Sequence, residues 1–322
     1  MKRTVLITVN PLITESRKFS TMRKFISALD RRFDLYVLPI NGYDFKRGRV
    51  RAYRRLSGGA FADAGMITPA GDLWIVYSDG FYLDGRRFGF RLRRDYFKAQ
   101  IDFHQTHLDA GRVRLMVNTP EADARAALKS WLATLNFKAT RVIPTYVCTH
   151  IDEVYDLQKQ HGCLVVKPVW GGASEGVDRL ADENSVSQFH RALKRRRTAG
   201  DLRDFCFQLF RTGDEKRLWF AGGEFVGGRR FRGCRTPWAD EWKFRIARYD
   251  RKSRLTFSRD LDAARRLCEL SGIGVGSVDF IGDEINEING CGTVLTNFYH
   301  RKLFIDHRLA FINYFERLVA SV

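Results

Sequence analysis

The stretch Gly274-Val-Gly-Ser-Val-Asp-Phe-Ile-Gly-Asp-Glu-Ile-Asn-Glu-Ile-Asn289 reads as an apolar strand carrying Asp279, a tight turn at Gly282-Asp283 and a return strand. On that return strand Glu287 and Asn289 stand two residues apart and share one face. Two carboxylates and an amide oxygen therefore converge, a donor set that suits Mg²⁺ completing its shell with water and nucleotide phosphates. The same letters also describe a polar-faced hairpin with a solvated acidic turn. Two other stretches bear on the choice.

The first is Leu164-Val-Val-Lys-Pro-Val-Trp-Gly-Gly-Ala-Ser-Glu-Gly-Val177, an apolar strand ending at Lys167-Pro168 and a glycine loop that returns at Val177. Gly171, Gly172 and Gly176 let backbone N–H groups close on phosphate oxygens, and Lys167 adds a point charge. An ordinary glycine hairpin is the plainer alternative. GxxxxGK[ST] is absent, so the phosphates would lie under a strand-loop-strand flap. Gly272-Ile-Gly-Val-Gly276 is not a dinucleotide fingerprint, because it follows a helix and precedes a strand.

The second runs from Phe205 to Gly228. Phe205 to Phe210 is a buried strand whose backbone could pair with a purine edge, and Asp214 or Glu215 could reach a ribose hydroxyl. Arg217 begins the next strand, Gly222-Gly223 turns the chain, and Arg232 stands on the way back. Inward-facing arginines on adjacent strands clamp phosphate or carboxylate, although surface arginines are the default in so basic a chain.

Before these stretches the chain alternates strands and helices. Thr4 to Val9, Leu35 to Leu38, Leu73 to Tyr77 and Val113 to Val117 are strand patterns; 16 to 29 and 91 to 110 are helical. The alternation implies a largely parallel sheet covered on both faces, with a Gly- and Arg-rich connection between its second and third strands. Thr119-Pro120-Glu121 caps a helix expected to continue through Leu135 with Lys129 beside its apolar stripe. Pro144-Thr145 leads into a strand, and 151 to 161 is helical.

The 322 residues carry a net charge of +18 and 44% hydrophobic residues, an ordinary globular composition with an attraction for anions. Arg54-Arg55, Arg86-Arg87 and Arg91-Leu-Arg-Arg94 place much of that charge in the first third, as a solvated face or a docking face for an acidic protein. No nucleic-acid motif is present, and aromatics are not interleaved with the basic residues. The six cysteines form no CxxC and no framework, which points to free thiols and a cytoplasmic setting. The apolar run after Lys2-Arg3 is too short for a signal h-region or a span, so no membrane role is expected.

Taken in order, these stretches resemble the ATP-grasp superfamily, and within it bacterial glutathione synthetase and its amino-acid and peptide ligase relatives. The likeness rests on Asn118-Thr-Pro120, Val166-Lys-Pro-Val-Trp-Gly-Gly-Ala-Ser174, Gly213-Asp-Glu-Lys-Arg217 with Gly223-Glu224, and Asp279-Phe-Ile-Gly-Asp283 with Glu287-Ile-Asn289. It implies an α/β fold, α+β in its C-terminal half: a Rossmann-like domain at 1–119, a central ATP-grasp subdomain with a glycine-rich lid at 120–203, and a C-terminal subdomain with the metal site at 204–322.

By the same resemblance Lys129 and Lys167 touch ATP phosphates under a lid containing Gly171, Gly172, Ala173 and Ser174. Gln208, Leu209 and Phe210 form the adenine hinge, with Asp214 and Glu215 near the ribose. Asp279, Glu287 and Asn289 hold two Mg²⁺ ions, or Mn²⁺ in their place, and Arg217 and Arg232 bind the reacting carboxylate and its phosphate. The implied reaction joins a carboxylate to an amine through an acyl phosphate, on small-molecule or peptide substrates, in a dimer or tetramer. Three departures point away from glutathione as product: Ala127-Leu128-Lys129 keeps only the lysine of an Asn-Glu-Lys signature, Gly290-Cys-Gly-Thr293 replaces a Ser-Pro segment, and 235–245 lacks the glycine-rich small loop.

Overall fold

The computed structural model describes residues 2–9, 20–56, 60–76, 93–170, 176–195, 201–231, 258–291 and 304–321. Gly171, Gly172, Ala173, Ser174, Arg232 and the segment 235–245 lie outside them.

Three sheets organise the described residues. In the first, β2 (Asp34–Pro39), β1 (Thr4–Val9), β6 (Gly71–Val76) and β7 (Val113–Met116) run parallel, as the strand and helix alternation requires. One face is covered by α1 (Ser20–Asp30), and the other packs Leu6, Trp74 and Met116 against Phe103 of α2 (Arg93–Asp109). The Gly- and Arg-rich connection, in which no strand is read from the sequence, forms an antiparallel extension: β3 (Tyr43–Asp44), β4 (Arg49–Arg55) and β5 (Phe61–Ile67). Val50 and Ala52 of β4 are buried while Arg49 and Arg51 are exposed, so alternation rather than composition sets this strand.

The central sheet has the order β10 (Asp178–Leu180), β9 (Leu164–Pro168), β11 (Phe205–Leu209), β8 (Thr145–Tyr146). Helices α5 (Ile151–His161) and α6 (Glu183–Arg195) cover it, with Val154 and Val186 packed among Leu164, Val166 and Phe207. Since β11 pairs with both β9 and β8, the chain leaves this sheet only after Leu209 and not at residue 204.

The third sheet has the order β13 (Glu224–Phe231), β12 (Glu215–Ala221), β14 (Val275–Ile281), β15 (Glu284–Asn289), all antiparallel. Its rear face, with Leu218, Phe220, Val278, Phe280, Ile285 and Ile288, packs on α7 (Ser258–Ser271) and on α3 (Pro120–Ala127). The last helix, α8 (Phe304–Ala320), returns to the first sheet, where Phe311, Ile312, Phe315 and Val319 join the core beneath β1.

The helix expected to run from Thr119 to Leu135 breaks at Leu128. Thr119 caps it as read, accepting from the Ala122 N–H at 3.1 Å. The Lys129 N–H then donates to the Val169 carbonyl at 3.1 Å, and Leu128 bridges Trp170, so a backbone partner on β9's extension overrides helical propensity. Lys129 opens a 3-10 turn, Lys129–Thr134, and the one-turn helix α4 (Phe137–Thr140) follows it.

Candidate active site

Register builds the site. Arg217 on β12 stands opposite Asp279 on β14, which stands opposite Glu287 on β15, so three charged residues form one row across three strands. Ser277 and Asn289 form the next row of the same face. Gly282, at φ +59°, makes the turn that sets this pairing. The rear face of the same strands carries the apolar cluster and the Lys216–Asp260 ion pair, and no part of the row.

Asp279 is 1% exposed, and its carboxylate takes two hydrogen bonds from Arg217, one of them Nε to Oδ1 at 2.6 Å. Asn289 Nδ2 lies 3.4 Å from Asp279 Oδ2. Arg217 therefore faces Asp279, in a fork geometry that a lysine would not reproduce. Burial raises the Asp279 carboxyl to about 7 despite that guanidinium, with Glu287 and Glu215 pushing the same way. Burial also opposes ionisation of Glu287, but Lys129, Lys167 and Arg217 together outweigh it and hold Glu287 below its ordinary value. The two facing carboxyls, Asp279 buried and Glu287 half-buried, are thus driven apart, one up and one down.

Lys167 reaches this row from the central sheet. It is 7% exposed, and its ammonium donates to Gln208 Oε1 at 2.6 Å and to Asn286 Oδ1 at 2.7 Å. Burial lowers its pKa, while the Glu287 carboxylate works to raise it, which puts the two groups within electrostatic reach. Gln208 is buried and gives its Nε2 to Thr145 Oγ1 at 3.1 Å and to the Asn286 carbonyl at 3.2 Å. The flap strand and the acidic strand therefore meet. Asn286 is a contact that sequence reasoning missed.

The remaining residues are placed as follows. The N–H groups of Leu209 and Phe210, read as an open backbone edge, are donated to the carbonyls of Pro144 and Cys163, both at 3.0 Å. Asp214 accepts from Arg230 Nε at 2.6 Å, and its carbonyl receives the Gly282 N–H at 2.9 Å. Glu215 is 9% exposed and lies close enough to Arg217 and Asp279 to shift both.

Among the described residues no group of three His, Cys, Asp or Glu side chains is arranged to hold a metal ion. The set read from the sequence is of another kind, two carboxylates and a carboxamide. All its donors are oxygen, and it crowds a buried and a half-buried carboxyl on neighbouring strands, where a divalent cation would favour the ionised form of both. These residues fit Mg²⁺. The five described cysteines are free thiols, and no described helix is long and apolar enough to cross a membrane.

Residues 130–295 match the family model for the ATP-grasp domain of prokaryotic glutathione synthetase. A search of curated proteins returns no match. Among solved structures, the ATP-grasp ligase PsnB complexed with minimal precursor, Mg and ADP is similar at 15% identity and TM-score 0.57, over 98% of each chain. D-cycloserine synthetase DcsG is similar at 15% identity and TM-score 0.62, over 98% of this chain and 99% of that one. D-alanyl-alanine synthetase A from Vibrio cholerae is similar at 13% identity and TM-score 0.59, over 99% of this chain and 98% of that one.

Proposed function

Since the chain belongs to the prokaryotic glutathione synthetase ATP-grasp family and is an ATP-dependent ligase forming carbon–nitrogen bonds, we propose that it joins a carboxylate to an amine through an acyl phosphate. The γ-phosphoryl of ATP passes to a carboxylate oxygen and ADP leaves. An amine nitrogen then attacks the acyl carbon, and the C–O bond to phosphate breaks, giving an amide and inorganic phosphate.

The observation that carries this reading is the row Arg217, Asp279, Glu287 with Lys167 brought against it from the other sheet. A carboxylate must approach an anionic triphosphate, so the site has to gather positive charge against like-charge repulsion. Lys167 and Lys129 supply cations at the phosphates. Glu287, Asp279 and Asn289 would hold Mg²⁺, as two ions, and the bound metal supplies charge neutralisation at the phosphate oxygens. Arg217 holds Asp279 in place for that task and adds positive potential on the same face.

Gly171, Gly172, Ala173 and Ser174 form the lid, which keeps water from the acyl phosphate. Gln208, Leu209 and Phe210 border the adenine, with Asp214 and Glu215 toward the ribose. The N–H groups of Leu209 and Phe210 are engaged within the protein, so this border acts through other atoms. Arg232 binds the reacting carboxylate. The departures at Ala127-Leu128, at Gly290-Cys-Gly-Thr293 and in 235–245 favour substrates other than those of glutathione synthesis.

A macromolecular carboxylate or amine, on a peptide or acidic protein, is the second reading. It is favoured by the +18 charge and by exposed Arg49, Arg51 and Arg54 on β4. Activity on such a substrate falls steeply with added salt.

The test is ADP release with Mg²⁺ against panels of amino acids, peptides and acidic proteins, run beside Glu287→Gln. Turnover with a carboxylate and amine pair that is lost in the variant supports the proposal. Turnover that persists in the variant removes the metal assignment, and ATP hydrolysis that never yields an amide removes the ligase chemistry proposed here.

A further inference from the structure

Strand β15 carries one residue more than its partner requires. Phe280 pairs with Ile285 and Asp279 with Glu287, so Asn286 has no partner on β14. This is a β-bulge, and bulges re-aim side chains. In an unbroken strand Asn286 would alternate away from Glu287. Here its Oδ1 receives the Lys167 ammonium at 2.7 Å and its carbonyl receives Gln208 Nε2 at 3.2 Å. The bulge is pinned from the other side, because the Ile285 N–H donates to the Arg141 carbonyl at 2.7 Å and the Ile143 N–H donates to the Ile285 carbonyl at 2.9 Å.

Lys167, Gln208 and Asn286 close a ring of hydrogen bonds spanning two sheets. From this geometry we infer that Asn286 is a positioning residue that aims the Lys167 ammonium at a nucleotide phosphate. An ammonium has three N–H donors, and two are fixed on amide oxygens from different sheets, so tetrahedral geometry fixes the direction of the third. Both anchors are neutral. They hold the lysine without cancelling its charge, which an aspartate at the same place would do. Asn286 thereby couples the approach of the flap sheet and the carboxylate sheet to the placement of one cation. This rests on the reading that Lys167 meets ATP phosphates.

The experiment compares calorimetric affinities for ATP and adenosine in the full chain. Asn286→Ala is expected to weaken ATP about tenfold and leave adenosine unchanged. Lys167→Met is expected to weaken ATP at least as much, and the double variant to bind ATP no worse than Lys167→Met alone, because the asparagine acts through the lysine. Equal losses for ATP and adenosine in Asn286→Ala, or additive losses in the double variant, overturn the inference. If Lys167→Met weakens ATP and Asn286→Ala does not, the inference fails while the phosphate reading stands. If Lys167→Met changes nothing, the phosphate reading itself fails. Should Asn286→Ala not fold, Asn286→Asp keeps the acceptor and is expected to weaken ATP while leaving adenosine alone; unchanged ATP affinity in that variant overturns the inference.

Discussion

Asp279 and Glu287 stand directly opposite one another on adjacent antiparallel strands, a buried and a half-buried carboxyl in one row with Arg217 as the third member. Like charges in that position are destabilising by themselves. The row persists because Arg217 holds one carboxylate and Lys167 and Lys129 bias the other.

Replacing Arg217 by methionine leaves Asp279 buried without its guanidinium, and the expected loss is about 3–5 kcal/mol of folding stability. Adding Asp279→Asn to that variant should restore part of it, since the uncompensated charge is gone. Urea unfolding of the two variants beside the parent measures both steps. Equal stability of the single variant and the parent would show that the pair contributes nothing net.

Behind the row, on the rear face, Lys216 Nζ bonds Asp260 at 2.6 Å with the two side chains 11% and 4% exposed. Arg141 reaches the other Asp260 oxygen at 3.4 Å. Asp260→Ala should therefore destabilise by about 3–5 kcal/mol. Asp262→Ala, whose carboxylate is 88% exposed, should change stability little. Thermal melts of the two variants give the comparison.

Gly276 lies where β14 passes Asn289, and a Cβ there would sit 2.3 Å from the Asn289 carbonyl and 2.6 Å from Ile273 Cγ2. Backbone must move, and the backbone that moves carries a proposed metal ligand. Gly276→Ala is expected to cost about 1–3 kcal/mol and to depress ADP release beyond what the stability loss explains. Activity assayed well below the melting temperature separates the two effects.

Burial raises the Asp123 carboxyl from 3.8 to about 7, with the Asn118 hydrogen bond opposing. An acid whose folded pKa lies above its unfolded one contributes stability fully below the unfolded value and loses it as pH rises through the folded one. Stability arising from Asp123 therefore falls between pH 3.8 and about pH 7. Asp123→Asn should raise the melting temperature more at pH 8 than at pH 5. An identical shift at both pH values counts against a protonated Asp123.

The legible parts of the fold are those with local causes. Thr119 as a cap, Gly222-Gly223 and Gly282-Asp283 as turns, and the helix from 151 to 161 all stand where short-range chemistry puts them. The β4–β5 hairpin was hidden because its two buried positions, Val50 and Ala52, are outnumbered by arginines that alternation turns outward. The helix break at Leu128 could not be read, since its cause is a carbonyl of Val169 forty residues on. In the site, the spacing of Asp279, Glu287 and Asn289 was informative because strand periodicity converts it into one face. Asn286 gave no signal, as a bulge exists only in the register between two strands. Arg217 was read as a clamp for a ligand, but its cross-strand neighbour is a carboxylate of the protein itself.

The packing of α8 beneath β1 has a consequence for synthesis. Phe25 of the first helix meets Phe315 of the last at 6.1 Å between ring centroids, edge to face. One side of the first sheet's core therefore stays unsealed during synthesis until residues 304–320 have left the ribosome.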